Sequence, residues 1–422
     1  MKHKIKLLVP AVLMAVSLAA CSTQTSESKT STATVTTTTS TSTSSSQSTT
    51  ANTEYFTDTD MTDTYDESSA STIKLSGSSA TVSGNGVSVS GSVVKITAGG
   101  TYIISGESDG VQILVEASDS DKVQLVLNGM TMTGTDALIA VTNADKVVVT
   151  SAAGTNNIIE DSANRTATDY SAAIYSKKDI TFNGSGSLTV TGNYNNAIKG
   201  NDDVKFTGGT YTITSTVKHA VSANDALNIT NSTMTITAAE DALHSDNDED
   251  TTMGNLYIQS GNITINAGDD AVHASNDLVV DGGTIDIQSS VEGMEGKTVT
   301  INDGDIKIVA SDDGINASDW AFTGGDMDVQ PDVSLTVNGG NLTIEMASGD
   351  TDALDSNGDL TVTGGTITVT GQSAFDFSGN ASYTGGTLIV NGETVNEITE
   401  SMMGGGAPRG QGGPGQGRPG GQ

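Results

Sequence analysis

The most informative residues are acidic residues that recur at one position of a repeated pattern. They stand just before a small residue and an apolar residue, as in Asp241-Ala242-Leu243 and Asp270-Ala271-Val272. Calcium takes about 6–8 oxygen ligands in flexible geometry, so a series of carboxylates suits it. The predicted metal ligands are Glu240, Asp241, Asp269, Asp270, Glu292, Asp312, Asp313, Asn316, Asp352 and Asp355.

Stacking these carboxylates in register has an electrostatic cost. Two unit charges about 5 Å apart repel by about 3 kcal/mol at an effective dielectric of about 20, and a bound cation offsets that repulsion. His244 and His273 suggest zinc, but the oxygen-rich surroundings favour calcium, which is the predicted cofactor. The alternative is a row of turn-forming Asp residues that are solvated and hydrogen-bonded to backbone amides.

The acidic position belongs to a repeat that determines the predicted fold. Short alternating segments end at Val190, Ile213, Ile236, Ile265, Ile287, Ile308, Ile344, Val369 and Val390, mostly about 21–25 residues apart. Each repeat holds three β-type segments separated by Gly, Asn and Asp turns. The predicted fold class is therefore all-β: a single-stranded right-handed parallel β-helix of about 21–25 residues per coil, with equivalent strands stacked.

Both ends of the chain differ in composition from the repeats. Residues 1–20 predict a lipoprotein signal peptide, because a short apolar segment ends in Leu18-Ala19-Ala20-Cys21, which resembles a bacterial lipobox. Cys21 is the predicted lipidation site; the alternative is ordinary secretion with a buried free Cys. Residues 21–70 predict a Ser/Thr-rich flexible stalk, 71–400 the β-helix, and 401–422 a disordered Gly-rich tail. The predicted location is the extracellular face of the cell membrane.

Overall composition excludes several classes of function. The formal net charge of −33 does not suit binding to nucleic acid, and it leaves the lipid anchor as the predicted contact with the membrane. One Cys excludes an internal disulfide framework and Cys-based metal clusters.

The repeats also resemble a known family. The run DKVQLVLNGMTMTG at 121–134 and the run AAIYSKKDITFNGSGSLTV that begins at Ala172 look like bacterial surface proteins with a carbohydrate-binding domain. The resemblance covers about residues 73–398. It implies a right-handed parallel β-helix similar to pectate lyases, bound calcium and binding of acidic polysaccharides, without implying lyase activity. Family members usually carry Asp-Gly-Ile-Lys at the small-apolar position, where this chain has Asn196-Ala197-Ile198-Lys199.

The expected function is non-catalytic, calcium-assisted binding of a polysaccharide by a lipid-anchored surface protein. The predicted carbohydrate-binding residues are Lys199, Lys218, His244, His273 and Trp320. One alternative is a polyuronate lyase, which needs a basic residue to abstract a proton. A Lys among carboxylates keeps its charge, as expected for Lys218, and this opposes such a role. The other alternative is an adhesin or wall-assembly protein.

Overall fold

The computed structural model describes residues 51–165, 167–325, 328–347 and 351–399. The predicted signal peptide, Cys21, the first part of the stalk and the tail lie outside the described residues. Within the described ranges, no helix is both long and apolar enough to cross a membrane.

The described residues form one short helix and a series of short strands. The first elements are α1 (Asp58–Met61), β1 (Ser71–Gly77), β2 (Ser79–Ser83), β3 (Val87–Ser90), β4 (Val93–Ile96), β5 (Gly100–Asp109), β6 (Gln112–Glu116), β7 (Lys122–Gly134), β8 (Ile139–Asn143), β9 (Lys146–Ser151), β10 (Asn156–Asp161), β11 (Ala172–Ser176) and β12 (Ile180–Gly184). The next are β13 (Ser187–Gly192), β14 (Asn196–Gly200), β15 (Val204–Phe206), β16 (Thr210–Ser215), β17 (Val221–Ala223), β18 (Ala226–Ile229), β19 (Ser232–Ala238), β20 (Leu243–Ser245), β21 (Asn255–Ile258), β22 (Gly261–Asn266), β23 (Val272–Val280) and β24 (Thr284–Ser290). The last are β25 (Met294–Ile301), β26 (Asp305–Ala310), β27 (Ile315–Ala317), β28 (Ser334–Val337), β29 (Asn341–Met346), β30 (Asp352–Ser356), β31 (Asp359–Val362), β32 (Thr366–Thr370), β33 (Ser373–Phe377), β34 (Ala381–Tyr383), β35 (Thr387–Val390) and β36 (Glu393–Val395).

Parallel pairing links each strand to its equivalent in the next repeat. One series runs β11, β14, β17, β20, β23, β25, β27, β30 and β33. A second runs β9, β12, β15, β18 and β21, and a third runs β13, β16, β19 and β22. The all-β prediction is confirmed, the sheet is mostly parallel, and this pairing is consistent with a coiled solenoid.

Antiparallel hairpins occur near both ends of the described body. Strand β1 pairs with β2, and β3 pairs with β4, while β1 and β4 also pair in parallel with β5 and β6. At the other end, β35 pairs with β36. Because a solenoid exposes unpaired strand edges at its ends, these hairpins are suited to cap it.

The core is built from alternate, inward-facing positions of each strand, which recur in every repeat. Strand β19 alternates buried and exposed residues along its length, with Met234 and Ile236 buried and Thr235 between them exposed. Ile236 pairs in register with Ile213 before it and Ile265 after it. The repeat read from the sequence therefore stacks as expected, and each fully buried Ile contributes about 1.5–3 kcal/mol.

Residues 51–70, called the strap from here on, differ from the predicted flexible stalk. The strap contains α1, which Thr57 caps through a reciprocal capping box with Asp60. The Asp60 carboxylate has no solvent exposure and accepts hydrogen bonds from Lys146 Nζ and Thr181 Oγ1, both at 2.6 Å. The stalk prediction is therefore wrong for 51–70, because a few specific contacts fix a segment that has no hydrophobic period.

Aromatic contacts attach the start of the strap to a distant strand. The ring of Tyr55 stacks on the ring of Tyr257 with centroids 3.8 Å apart, and Phe56 is buried. The strap covers the outward side of the second series of strands, so both faces of β9 and β15 are buried. This explains why these strands lack the alternation seen in β19.

Candidate functional site

One outward position of the first strand series forms a continuous row of polar residues, here called the polar row. Strand pairing places its members next to one another from repeat to repeat. The row consists of Tyr175, Lys199, Ser222, His244, His273, Glu295, Asn316, Asp355 and Asp376.

A second row, here called the corner row, lies just before each of these strands. Backbone hydrogen bonds run from the small residue of one repeat to the corner residue of the next, such as Ala242 N to Asp270 O and Gly293 N to Asp313 O. Small residues are required here: a Cβ on Gly293 would lie 2.3 Å from the carbonyl oxygen of Gly314. The corner row contains His219, Asp241, Asp270, Glu292, Asp313 and Asp352.

The first part of the two rows is rich in histidine. Asp241 Oδ2 lies 3.2 Å from His219 Nδ1 and 2.7 Å from His244 Nδ1. Burial alone would raise the pKa of Asp241, but these imidazole contacts outweigh it and hold the pKa well below its usual range. Burial lowers the pKa of His244 to about 4, so this imidazole is neutral at pH 7.

His273 lies in a different electrostatic environment from His244. Its Nδ1 atom is 3.3 Å from Asp270 Oδ2 and 2.6 Å from Glu295 Oε2. Burial opposes the charged form, but the two carboxylates outweigh it and raise the pKa of His273 to about 11. This imidazolium therefore separates the histidine part of the rows from the part that contains only carboxylate and amide side chains.

Beyond His273 lies a group of side chains, here called the oxygen cluster, made of Glu292, Glu295, Asp313, Asn316 and Asp355. Burial, reinforced by neighbouring carboxylates, raises the pKa of Glu292 to about 9 and of Asp355 to about 8. Asn316 Nδ2 donates to Glu292 Oε2 at 3.1 Å, while the buried Oδ1 atom of Asn316 has no hydrogen-bond partner.

The outer acidic residues predicted as ligands lie apart from these rows. Asp269 and Asp312 are exposed to solvent. Glu240 lies 3.5 Å from Lys218 Nζ, an ion pair that is about half exposed. The corner row and the polar row thus lie side by side. Glu240, Asp269 and Asp312 each precede a corner residue by one position and are more exposed to solvent.

The remaining predicted carbohydrate contacts are dispersed. Lys199 lies in the polar row, where its Nζ atom donates to Ser222 Oγ at 3.1 Å and burial lowers its pKa to about 8. Trp320 follows β27 on a loop and is 54% exposed. Its neighbour Asp319 pairs with Lys297 at 3.0 Å.

Two residues of the site were missed as ligand candidates from the sequence. His219 occupies the corner position one repeat before Asp241, and Glu295 occupies the polar-row position after Met294. Extending the repeat by one step towards the N-terminus would have identified His219, whereas Glu295 already stands between His273 and Asn316 in the repeat. Position in the repeat, more than residue type, therefore determines which side chains belong to this site.

The sequence matches a known protein family over a region that includes most of the site. The profile of the family described as carbohydrate-binding domain-containing protein matches residues 90–332, which is more than half of the chain. The chain therefore belongs to the family of carbohydrate-binding domain-containing proteins. A relative of that description from Acetivibrio thermocellus is 39% identical over 119 residues, which are 27% of this chain and 42% of the relative.

A solved structure also resembles part of the chain. It is described as a polysaccharide lyase-like protein from C. thermocellum, in a gadolinium derivative. The match is 30% identical in sequence, covers 56% of this chain and 93% of that chain, and has a TM-score of 0.49.

Proposed function

We propose that the protein is a lipid-anchored surface protein that binds an acidic polysaccharide with the help of calcium held by the oxygen cluster. Its scaffold in this proposal is a right-handed parallel β-helix. The observation that carries the proposal is that the half-buried carboxyl groups of Glu292 and Asp355 both lie near that of Asp313, and that the pKa of all three is raised, first by burial and then by neighbouring carboxylates. Among the described residues, no lysine or arginine nitrogen lies within ion-pair distance of these three carboxylates.

The donor set of the oxygen cluster fits calcium. Carboxylate and amide oxygens are ligands of hard cations, and calcium tolerates irregular geometry. The unpaired Oδ1 of Asn316 supplies a neutral oxygen next to Glu292. A divalent cation here would offset the burial and the mutual repulsion that together raise the carboxyl pKa values. Its remaining coordination positions would accept a carboxylate of the glycan.

Family membership supports a carbohydrate partner, and the polar row supports an extended one. Successive members of the row are one strand spacing apart, about 4.8 Å. A linear anionic glycan along the row would meet calcium at the oxygen cluster. Lys199, whose pKa is lowered to about 8, lies four strands before Glu295, roughly 19 Å along the row.

Sedimentation with insoluble pectate tests the calcium bridge. The full chain should sediment with pectate in calcium and stay in solution after addition of chelator. Glu292→Gln should weaken calcium-dependent retention at least tenfold. Asp305→Asn removes the same charge from an exposed strand end and serves as the matched control. Retention that ignores both chelator and Glu292→Gln would refute the bridge.

One observation favours a second candidate, a polysaccharide lyase. A lysine whose pKa is lowered to about 8, as at Lys199, is suited to act as a general base near neutral pH. Absorbance of unsaturated uronide products measures this activity directly. Turnover that is abolished by Lys199→Gln would establish the lyase. No product across a panel of polyuronates would dismiss it.

The lipid anchor is part of the proposal and has its own test. The lipobox resemblance around Cys21 supports a diacylglyceryl thioether at the mature N-terminus. Mass spectrometry of the membrane fraction should show that modification, and Cys21→Ala should release the protein from the membrane. If a glycan array gave no hits for the anchored protein, the adhesin or wall-assembly alternative would replace carbohydrate binding.

A further inference from the structure

We propose that a cavity beside the strap binds a single amino-sugar unit through its ammonium group and its ring hydroxyls. The cavity, here called the strap cavity, lies on the outward side of the second strand series and has a volume of about 270 Å³. It shares no residue with the oxygen cluster, and its ligand carries the opposite charge to an acidic glycan. The proposal therefore goes beyond calcium-assisted binding and does not depend on it.

The strap cavity exists because a small residue interrupts a row of polar ones. Residues at the start of successive strands stand side by side in the order Asp203, Ala226, Asn255 and Asp277, since the residues next to them pair in register. Ala226 leaves a gap between Asp203 and Asn255, which are two strand spacings apart, or roughly 10 Å. A gap of this width accommodates one sugar ring.

The floor of the gap carries a hydrogen-bond acceptor without a partner. Asn228 follows Ala226 by two positions, so both side chains lie on the same face of strand β18. Asn228 lines the cavity and is 3% exposed, and its Oδ1 atom has no hydrogen-bond partner among the described residues. An unpaired buried oxygen is unfavourable, and a hydroxyl of a bound sugar would supply the missing hydrogen bond.

The charge of the lining favours a cationic ligand. Three carboxylates line the cavity, those of Glu54, Asp203 and Asp277, against one basic residue, Lys205. The Nζ atom of Lys205 is already engaged, because it lies 3.1 Å from Asp203 Oδ2 and 3.9 Å from Asp60 Oδ2. Glu54 and Asp277 are therefore left to attract the ammonium group of a ligand.

A tyrosine of the strap forms one wall of the cavity. Tyr55 is half-buried and lines the cavity, and its ring is held by stacking on Tyr257. Burial, and then the negative charges of Glu54, Asp281 and Asp277, raise the pKa of the Tyr55 hydroxyl. An ammonium group beside this ring would meet both the carboxylates and the electron-rich face of the aromatic ring.

The spread of the polar groups separates an amino sugar from simpler cations. Asp203 and Asp277 are three strand spacings apart, roughly 14 Å, whereas the ligands of one calcium ion all lie within about 2.6 Å of it. An alkyl amine carries its donors at one point only. An amino sugar presents an ammonium group and several hydroxyls in different directions, so it can reach both the carboxylates and Asn228 Oδ1. Family membership independently supports a carbohydrate.

Calorimetric titration of the full chain with glucosamine tests the proposal, with glucose and N-acetylglucosamine as uncharged matches. At about pH 6, where an aliphatic amine is protonated, one equivalent of glucosamine should bind at least tenfold more tightly than either of them. Ala226→Leu fills the gap and Glu54→Gln removes a charge, so each should weaken glucosamine binding at least fivefold. Ser334→Leu adds the same side chain at an equivalent position outside the cavity, and Asp58→Asn neutralises an exposed carboxylate of the strap. Both controls should stay within about twofold of wild type.

Comparison of the three sugars and butylamine on the wild-type protein keeps the test valid if a variant fails to fold. The proposal is overturned if glucosamine does not bind, if glucose or butylamine binds as tightly, or if Ala226→Leu leaves glucosamine binding unchanged. Retention on pectate in calcium should be the same for Ala226→Leu and wild type. Because pectate retention and glucosamine binding are measured separately, failure of the calcium bridge is distinct from failure of the strap cavity.

Discussion

Neutralising Asp60 should destabilise the protein in a way that depends on pH. The Asp60 carboxylate accepts a 2.6 Å hydrogen bond from Lys146 Nζ and lies fully buried beneath the strap. Burial opposes ionisation, but hydrogen bonds from Lys146, Thr181 and Thr57 outweigh it and lower the pKa from 3.8 to about 2. At about 1.4 kcal/mol per pKa unit, the ionised form stabilises the fold by roughly 2–3 kcal/mol.

The sign of the pH effect follows from the lowered pKa. A carboxyl whose folded-state pKa lies below its unfolded value stabilises the fold above the unfolded pKa. That contribution is lost as pH falls from about 4 through about 2. Asp60→Asn should therefore lower the free energy of unfolding by about 2–3 kcal/mol at pH 7. The difference from wild type should shrink as the pH approaches 2.

Urea unfolding followed by circular dichroism at several pH values measures this difference. Asp58→Asn, in the same helix but exposed, removes the same charge and should leave the unfolding midpoint unchanged. A variant Asp60→Asn as stable as wild type at pH 7 would refute the reasoning. So would a loss of equal size at pH 2.5 and pH 7.

Three further changes probe the site, the repeat and the strap. Burial and nearby carboxylates raise the pKa of Glu292 to about 9, so the calcium-free protein should lose stability as pH rises from about 4.5 to 9. In thermal unfolding at several pH values in this range, Glu292→Gln should flatten the dependence of the melting temperature on pH, and an unchanged slope would contradict this. Gly314→Ala places a Cβ 2.5 Å from the Ala353 carbonyl oxygen and should cost about 1–3 kcal/mol in urea unfolding; a neutral result would contradict the close approach. Tyr55→Ala removes the ring stacked on Tyr257 at 3.8 Å and should cost about 1 kcal/mol, seen as faster hydrogen exchange in the strap; unchanged exchange would show that the stack is dispensable.

The repeat was predictable because its signal is local and periodic. Val190 and Ile213 end successive alternating segments in the sequence, and the strands that carry them pair in register. Side chains of a strand alternate between faces, so a repeated apolar position fixes both the burial and the register. The corner carboxylates were found in the same way, since each precedes a small residue at a fixed place in the repeat.

The strap and the division of the site were not predictable, because both depend on distant contacts. Asp60 meets Lys146 and Thr181, which are 86 and 121 residues away in sequence. No local pattern marks such an acid as buried. Likewise Asp241 and Glu292 occupy equivalent corner positions, but histidines surround one and carboxylates the other. Only the stacked arrangement reveals that difference.

The strap also changes how the stack of repeats is expected to come apart. In a solenoid each repeat contacts only its neighbours, so distant repeats are coupled only through the repeats between them. The strap touches Lys122 of β7, Lys146 of β9, Thr181 of β12 and Tyr257 of β21. One segment thus joins repeats that are otherwise several steps apart. Unfolding of any of these repeats breaks its contacts with the strap and so weakens the others. This part of the protein should therefore unfold as a single cooperative unit.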